Sequence, residues 1–379
     1  MRISRIETIV AQHHLGEDKF AYSQAWYNSR TILMVKVHTD VGHVGWGESF
    51  GPALANRAII DHVFTPMLIG RDPLDTGVIW EELYNKLRDN GYKGMHIEAI
   101  SAIDIALWDL KGKMLNLPVY KLIGGARRER VLPYATGLYR RQLGAGPEPL
   151  CAEATGYVEQ GFRAIKMKIG FGPDDDVSMV KAIRRTIGSD ILLMVDANHA
   201  YTANEAIHLS RRLEEFDIFW FEEPVPPEDI DGYAEVKARS RISIAGGEAE
   251  LTSYGFHSLL EKRAVDIVQP DCCASGGISE FQKIATLASL HNIQCYPHVW
   301  GSAIAMKAGL HCALALPHYP GGLVQRPMLF EMDRTPNVFR ERLCASGLPM
   351  KDGWIYPNEE PGLGLRVDEE WLEHYKLAD

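Results

Sequence analysis

Residues 164–170 read AIKMKIG. The run is short, apolar and closed by glycine, the pattern of a buried strand. It nevertheless carries Lys166 and Lys168, and side chains two apart on a strand share a face. Two ammonium groups converging beside a core are unfavourable unless an anion faces them. What flanks this strand therefore decides the fold.

Segments of the same kind recur on both sides. They are VLPYATG (131–137), ILLMVDAN (191–198), IFWFEEP (218–224), ISIAGGE (242–248), VDIVQPD (265–271), QCYPH (294–298) and PMLFEMD (327–333). Amphipathic stretches lie between them, among them DDVSMVKAIRRTIG, TANEAIHLSRRLEEF and GISEFQKIATLASLHN. Strands alternating with helices imply parallel pairing, and eight such units imply a (β/α)₈ barrel. The chain before it differs. ISRIETIVAQ and RTILMVKVHT read as strands, and HTDVGHVGWGES as a hairpin turning at Asp40 and Gly42. HIEAISAIDIALWDLKGKML reads as a helix with Ile100, Ile103, Leu107, Trp108 and Leu110 on one stripe. After about Arg342, DGWIYPNEEPGLGLRVDEEW has a Gly/Pro-rich turn and a short strand that fit no ninth barrel unit. The expected fold class is α/β: a modified TIM (β/α)-barrel over residues 131–340 with an N-terminal α+β capping domain over 1–130. A C-terminal segment, 341–379, returns to complete the cap.

Chemistry in such a barrel sits at the C-terminal strand ends. Those ends carry Lys166 and Lys168, then Asp196 and Asn198, Glu222 and Glu223, Glu248, Asp271, His298 and Glu331. From Lys168 to His298 the successive spacings are 23 to 28 residues, about one βα unit each. Asp196, Glu222 and Glu248 come from three adjacent strands. Without a cation they would repel one another and take up protons. The alternative is three separate acids capping helix starts, but matching strand-end positions favour one site. Three oxygen ligands with room for water or substrate favour Mg²⁺, with Mn²⁺ the other candidate. Lys166 beside Lys168 should lower the pKa of Lys168 and make it a base. Asp271 on the next strand can orient His298 as a second acid/base group. Taken singly, the lysines read as a snorkelling pair and His298 as a core histidine; the full set outweighs both.

Composition narrows the function classes. The formal net charge is -10, and basic residues cluster only in short pairs such as Arg127–Arg128. Neither a nucleic-acid nor an anionic-membrane surface is expected. No apolar stretch is long enough to span a bilayer, and MRISRIETIVAQHH has no signal-like apolar core. A cytoplasmic protein is expected. The six cysteines form no CxxC pair, and Cys272–Cys273 reads as buried free thiols. A metal-hydroxide hydrolase would want histidines on strand one, and VLPYATG has none.

Taken together, KxK, DAN, EEP, GGE, QPD and PH resemble the mandelate racemase subgroup of the enolase superfamily over essentially the whole chain. The resemblance implies Asp196, Glu222 and Glu248 as Mg²⁺ ligands, and Lys168, with Lys166 its partner, as one base. It implies His298 with Asp271 as the acid/base on the other face. It places Asn198 and Glu331 at the substrate carboxylate. GWGESFGPA, DANHAYT, WFEEPVPPED and YPHVWGSA are most similar to acid-sugar enzymes of the galactarolactone-cycloisomerase type. The implied activity is α-proton abstraction from an acid sugar or its lactone, ending in cycloisomerisation. Dehydration and racemisation or epimerisation are the alternatives. A small carboxylate substrate and a homo-oligomer, often an octamer, are also implied. Ala249 and Glu250 depart from the likeness, which would place an aromatic residue and a histidine there. Trp26 and Tyr27, in a loop expected to be mobile over His13–Arg30, could close over substrate or pack as anchors. His199 could touch a polyhydroxy substrate or face solvent, and Trp300 could line the pocket.

Overall fold

The computed structural model describes residues 1–345 and 347–377. β1 (Ile3–His14), β2 (Phe20–Ala21), β3 (Trp26–Tyr27), β4 (Ser29–Thr39) and β5 (Val44–Ser49) open the chain. β1, β4 and β5 form an antiparallel sheet in that order. The β4–β5 turn closes through Gly42, at φ 89°, whose N–H donates to Thr39 O at 3.2 Å. The helix Met95–Leu115 lies directly on β5. Gly45 and Gly47 make that approach: a Cβ on either would fall 2.0 Å from a helix carbonyl, Ala106 O or Ala102 O. The expected stripe is buried, and so is nearly every other position from His96 to Leu110. A second wall explains the excess, because the barrel helix Gly277–Leu290 packs on the far side.

The stretch expected to be a mobile loop is largely built. His13 and His14 continue β1 opposite Arg30 and Ser29, and β2 pairs with β3 as a small hairpin. Backbone partners on β4 and burial of Phe20 and Ala21 order it.

Eight parallel strands follow: β6 (Leu132–Gly137), β7 (Ala164–Lys168), β8 (Leu192–Asp196), β9 (Ile218–Glu222), β10 (Ser243–Gly246), β11 (Ile267–Val268), β12 (Gln294–Cys295) and β13 (Leu329–Asp333). Each from β6 to β11 pairs with its successor, and β13 returns to pair with β6. Among the described residues no ladder joins β12 to β13, so the barrel has one open seam. β11 and β12 are two residues long, with Pro270 and Pro297 just beyond them unable to donate to a ladder. A helix over Glu148–Glu159, absent from the sequence reading, fills the first crossover and buries Leu150, Ala154 and Tyr157.

Among the described residues the tail makes isolated bridges rather than a strand. They pair Val131 with Ile355, Cys344 with Val367, Pro118 with Gly362 and Ala11 with Lys376. It therefore reaches β1 as expected, and also ties to the chain just before β6. Residues 346, 378 and 379 of that segment lie outside the described residues. Cap and barrel join at two helix starts. Asp104 accepts from Ser279 N at 2.9 Å and from Ser279 Oγ at 2.6 Å, at the start of Gly277–Leu290. Glu48 accepts from Ser302 N at 2.9 Å and Ala305 N at 3.1 Å, at the start of the helix Ala303–Ala315. Among the described residues no helix is long and apolar enough to cross a membrane.

Candidate active site

β7 is buried along its whole length, and its period of two turns Lys166 and Lys168 to the barrel interior. The facing anions are carboxylates of the neighbouring strands. Lys166 Nζ lies 2.5 Å from Glu222 Oε1 and 2.9 Å from Glu331 Oε1, and Lys168 Nζ lies 2.5 Å from Asp196 Oδ2. The expected lowering of the Lys168 pKa is not what this arrangement gives. Burial pulls it down most strongly, but Asp196, Tyr139 and Glu248 together outweigh burial and the Lys166 charge, and the ammonium is held well above the ordinary lysine value. Lys166 is raised in the same way by Glu222 and Glu331 against burial.

Asp196 ends β8, Glu222 ends β9, and Glu248 follows β10 by two residues. One oxygen of each lies within 4.8 Å of the others. The set is all oxygen, the donor chemistry a hard divalent ion takes, and one ion could bridge the three carboxylates. The outward oxygens are held: Glu222 Oε2 accepts from Trp220 Nε1 and Gln269 Nε2, both at 2.8 Å, and Asp196 Oδ1 accepts from Asn198 N at 2.9 Å. Burial pushes the Glu222 carboxyl up to about 7, the cost of crowding acids in a dry place.

Across the barrel, His298 Nδ1 is 2.7 Å from Asp271 Oδ2, while Asp271 Oδ1 accepts from Cys273 N at 2.7 Å. The other ring nitrogen, Nε2, faces Glu248 Oε2 at 3.3 Å. Burial opposes the charged imidazole, yet Glu248, Glu331 and the Asp271 bond prevail and lift its pKa to about 10. Glu331 accepts from Thr136 Oγ1 at 2.6 Å and Val299 N at 3.0 Å. Against the pull of burial, Lys166 and His298 hold Glu331 near 2.

These groups meet at a cavity of about 250 Å³. Lys168, Asn198, His199, Glu248, His298, Trp300 and Glu331 line it, as does Tyr27 from the cap. Trp26 does not: adjacent strand residues face opposite ways, and Trp26 stands 39% exposed outside. Lys166 lies below the cavity floor, wholly buried. Several residues here have no part in the sequence reading. Tyr22, Gln24, Phe50 and Tyr139 line the cavity, and Ser23 Oγ bonds Ala197 O at 2.7 Å. Glu223 was noted at its strand end but given no role. It is buried beneath Asn198 and His199, with its Oε2 3.1 Å from Asn198 Nδ2 and 3.2 Å from His199 Nε2. Asn198, His199 and Glu223 all take left-handed φ, at 43°, 67° and 45°, a strain that marks functional loops. No sequence period announces such a turn. Glu250, where the family likeness would place another residue, pairs with Lys93 of the cap at 3.2 Å.

An α+β cap closing a βα barrel with this set of strand-end groups places the protein in the enolase superfamily. Residues 5–124 match the mandelate racemase / muconate lactonizing enzyme N-terminal domain, and residues 150–371 the enolase C-terminal domain-like fold. The chain belongs to the mandelate racemase / muconate lactonizing enzyme family. It is 41% identical to D-galactarolactone cycloisomerase of Agrobacterium fabrum, over all of both chains. It matches the crystal structure of the 3,6-anhydro-D-galactonate cycloisomerase from Zobellia galactanivorans with a TM-score of 0.90 and 44% identity, again over all of both chains. A racemase from Streptomyces coelicolor A3(2), solved with bound magnesium, matches with a TM-score of 0.88 and 29% identity, covering 99% of this chain and 100% of that one.

Proposed function

We propose that the protein is an Mg²⁺-dependent cycloisomerase of a sugar-acid lactone or related cyclic acid, with Mn²⁺ able to replace Mg²⁺. The observation that carries this reading is the single cavity flanked by Lys168 on one side and the His298–Asp271 pair on the other. Three clustered carboxylates, Asp196, Glu222 and Glu248, stand beside it. Named relatives with cycloisomerase activity support the outcome.

Asp196, Glu222 and Glu248 would hold the ion, which when bound supplies the positive charge that these acids and a developing oxyanion require. With an ion on Asp196 and Glu248, those carboxylates would no longer hold Lys168 and His298 charged, and whichever of the two is then neutral takes the proton from the carbon next to the substrate carboxylate. The electron pair left on carbon moves into the carboxylate as an enolate, and Lys166 contributes positive charge beneath that site. The enolate then collapses, the β carbon–ring oxygen bond breaks, and the ring opens. Return of a proton to the β carbon, as the enol of the α-hydroxyl becomes a ketone, gives a 2-keto-3-deoxy acid isomeric with the substrate. Asp271 holds the His298 tautomer through Nδ1 and leaves Nε2 facing the cavity. Asn198 and Glu331 position the carboxylate end.

Incubation with Mg²⁺ in D₂O, with sugar lactones and acids followed by ¹H NMR, tests this. Loss of the α-proton signal of a lactone together with a 2-keto-3-deoxy product is expected. Loss of water from an open-chain acid instead would make the protein a dehydratase. No exchange with any member of a wide panel would end the acid-sugar reading.

A further inference from the structure

A second pocket, of about 460 Å³, lies where β6 and β13 end. The chain leaving β6, the helix Glu148–Glu159 that follows it, and Arg334, one residue beyond β13, enclose it. Tyr139 is the one lining residue it has in common with the catalytic cavity. None of the acid/base groups or carboxylates of the catalytic site reaches it.

Three arginines line this pocket, and their partners are unequal. Arg140 is buried, paired with Asp175 at 2.5 Å and set 4.9 Å from the Phe171 ring. Arg141 is half exposed, and Asp18 Oδ1 stands off at 3.8 Å. Arg334 is half-buried and, among the described residues, has no carboxylate partner. Its guanidinium donates to a neutral acceptor, Gln160 Oε1 at 3.1 Å, and its Nε is buried without a partner. One carboxylate, Glu153, lines the pocket, but it is turned elsewhere. Its Oε1 accepts from the Tyr157 hydroxyl at 2.5 Å and from Leu138 N at 2.9 Å, and among the described residues no arginine pairs with it. A guanidinium cannot lose its proton, so like charges gathered around one hollow repel unless an anion sits among them.

We infer that this pocket is a second binding site, for a small organic dianion bearing a phosphate group or a pair of carboxylates. Arg334 and Arg141 take the charge through forked, charge-assisted hydrogen bonds, while Arg140 stays with Asp175 and frames the pocket. The volume falls within the range of small-molecule sites, which leaves room for a body attached to the charged group. Gln142, also on the lining, offers an amide to hydroxyl groups on that body. With only Tyr139 common to the two cavities, an occupant here leaves the catalytic one open to substrate.

The site is read by binding, so it stands or falls apart from the proposed reaction. Isothermal titration calorimetry of the Mg²⁺-loaded chain with inorganic phosphate, and separately with succinate, tests it. Saturable binding of at least one of the two is expected, weakened by added NaCl as a partly exposed ion pair is. Phosphate alone binding assigns a phosphorylated ligand, and succinate alone a diacid. Arg334→Gln should raise Kd by about 10-fold or more, the usual loss of a hydrogen bond to a charged group. Arg334→Lys, which keeps the charge and loses the fork, should raise it less. Arg141→Gln removes a half-exposed side chain, a change the fold tolerates, and should also weaken binding. Binding of neither anion overturns the inference. So does binding that both glutamine variants leave unchanged, which would put the anion elsewhere, the catalytic cavity included.

Discussion

At the scale of single residues, the two faces of the cavity can be separated by isotope exchange. Lys168→Ala and His298→Asn should each lower ring opening by ~10²–10⁴-fold, the usual contribution of a placed acid or base. The variant that keeps the abstracting base should still exchange the α-proton for deuterium while forming no product. The other should do neither. Both keeping near-wild-type turnover would remove these residues from the chemistry. Asp271→Asn keeps a hydrogen-bonding group 27 residues from His298 in sequence but favours the wrong tautomer, so turnover should again fall by ~10²-fold or more with little change in KM. These residues were legible because each lies at the end of a strand or within three residues of it, in an apolar segment that the sequence pattern could find. The state of Lys168 was not. Its pKa depends on Asp196, 28 residues away, and the distance between them exists only after β7 and β8 pair in register. Trp26 and Tyr27 show the same limit: the sequence offers two adjacent rings, and only the pairing of β3 with β2 decides which one turns inward.

At the scale of elements, the cap and the His298 side of the barrel are joined by buried carboxyls at helix starts. Glu48 serves the helix after His298 and Asp104 the helix after the Asp271 loop; Phe50 N also donates to Cys273 O at 3.0 Å. Burial pushes both carboxyls up to about 7, from 4.5 for Glu48 and 3.8 for Asp104. An acid whose pKa is higher folded than unfolded gives stability that is full below the unfolded value and lost as pH rises through the folded one. Thermal stability should therefore decline from about pH 4 to about pH 7 through these groups. Glu48→Gln and Asp104→Asn, combined, should flatten that decline whatever they do to the absolute Tm, as a series of melts from pH 4 to 8 would show. An unchanged slope would mean the carboxyls titrate normally. None of this was readable beforehand. Glu48 finds Ser302 across 254 residues and Asp104 finds Ser279 across 175, and neither contact leaves a local signature. The helix Glu148–Glu159 escaped notice for a nearer reason. Thr155 and Gly156 weaken its helical pattern, and the stretch before it, GAGP, reads as loop.

At the scale of the whole molecule, the site is a concentration of like charge that the fold must tolerate. Asp196, Glu222, Glu223, Glu248, Asp271 and Glu331 are six carboxylates; Lys166, Lys168 and His298 are three groups that can carry positive charge. Apart from the half-buried Glu248, all of these are buried. Burial first, and then the neighbouring acids, raises the pKa of Glu222 and Glu223, and each proton or cation the cluster takes up relieves repulsion held in place by the barrel. A divalent ion on Asp196, Glu222 and Glu248 should therefore stabilise the folded chain itself, by RT ln(1 + [ion]/Kd), or about 2.7 kcal/mol at one hundred times Kd. Melting with increasing MgCl₂ should raise Tm with a saturating dependence, and EDTA should return it to the starting value. Glu222→Gln, which removes the charge and keeps an oxygen to accept from Trp220 Nε1 and Gln269 Nε2, should lose the Mg²⁺ increment while its own Tm without Mg²⁺ stays close to the wild-type value or above it, because one of the crowded charges has gone. Lys166, which loses a counter-ion in that variant, still has Glu331 at 2.9 Å. A Tm indifferent to Mg²⁺ in the wild-type chain would remove the metal from this site and, with it, the charge balance on which proton abstraction next to a carboxylate depends.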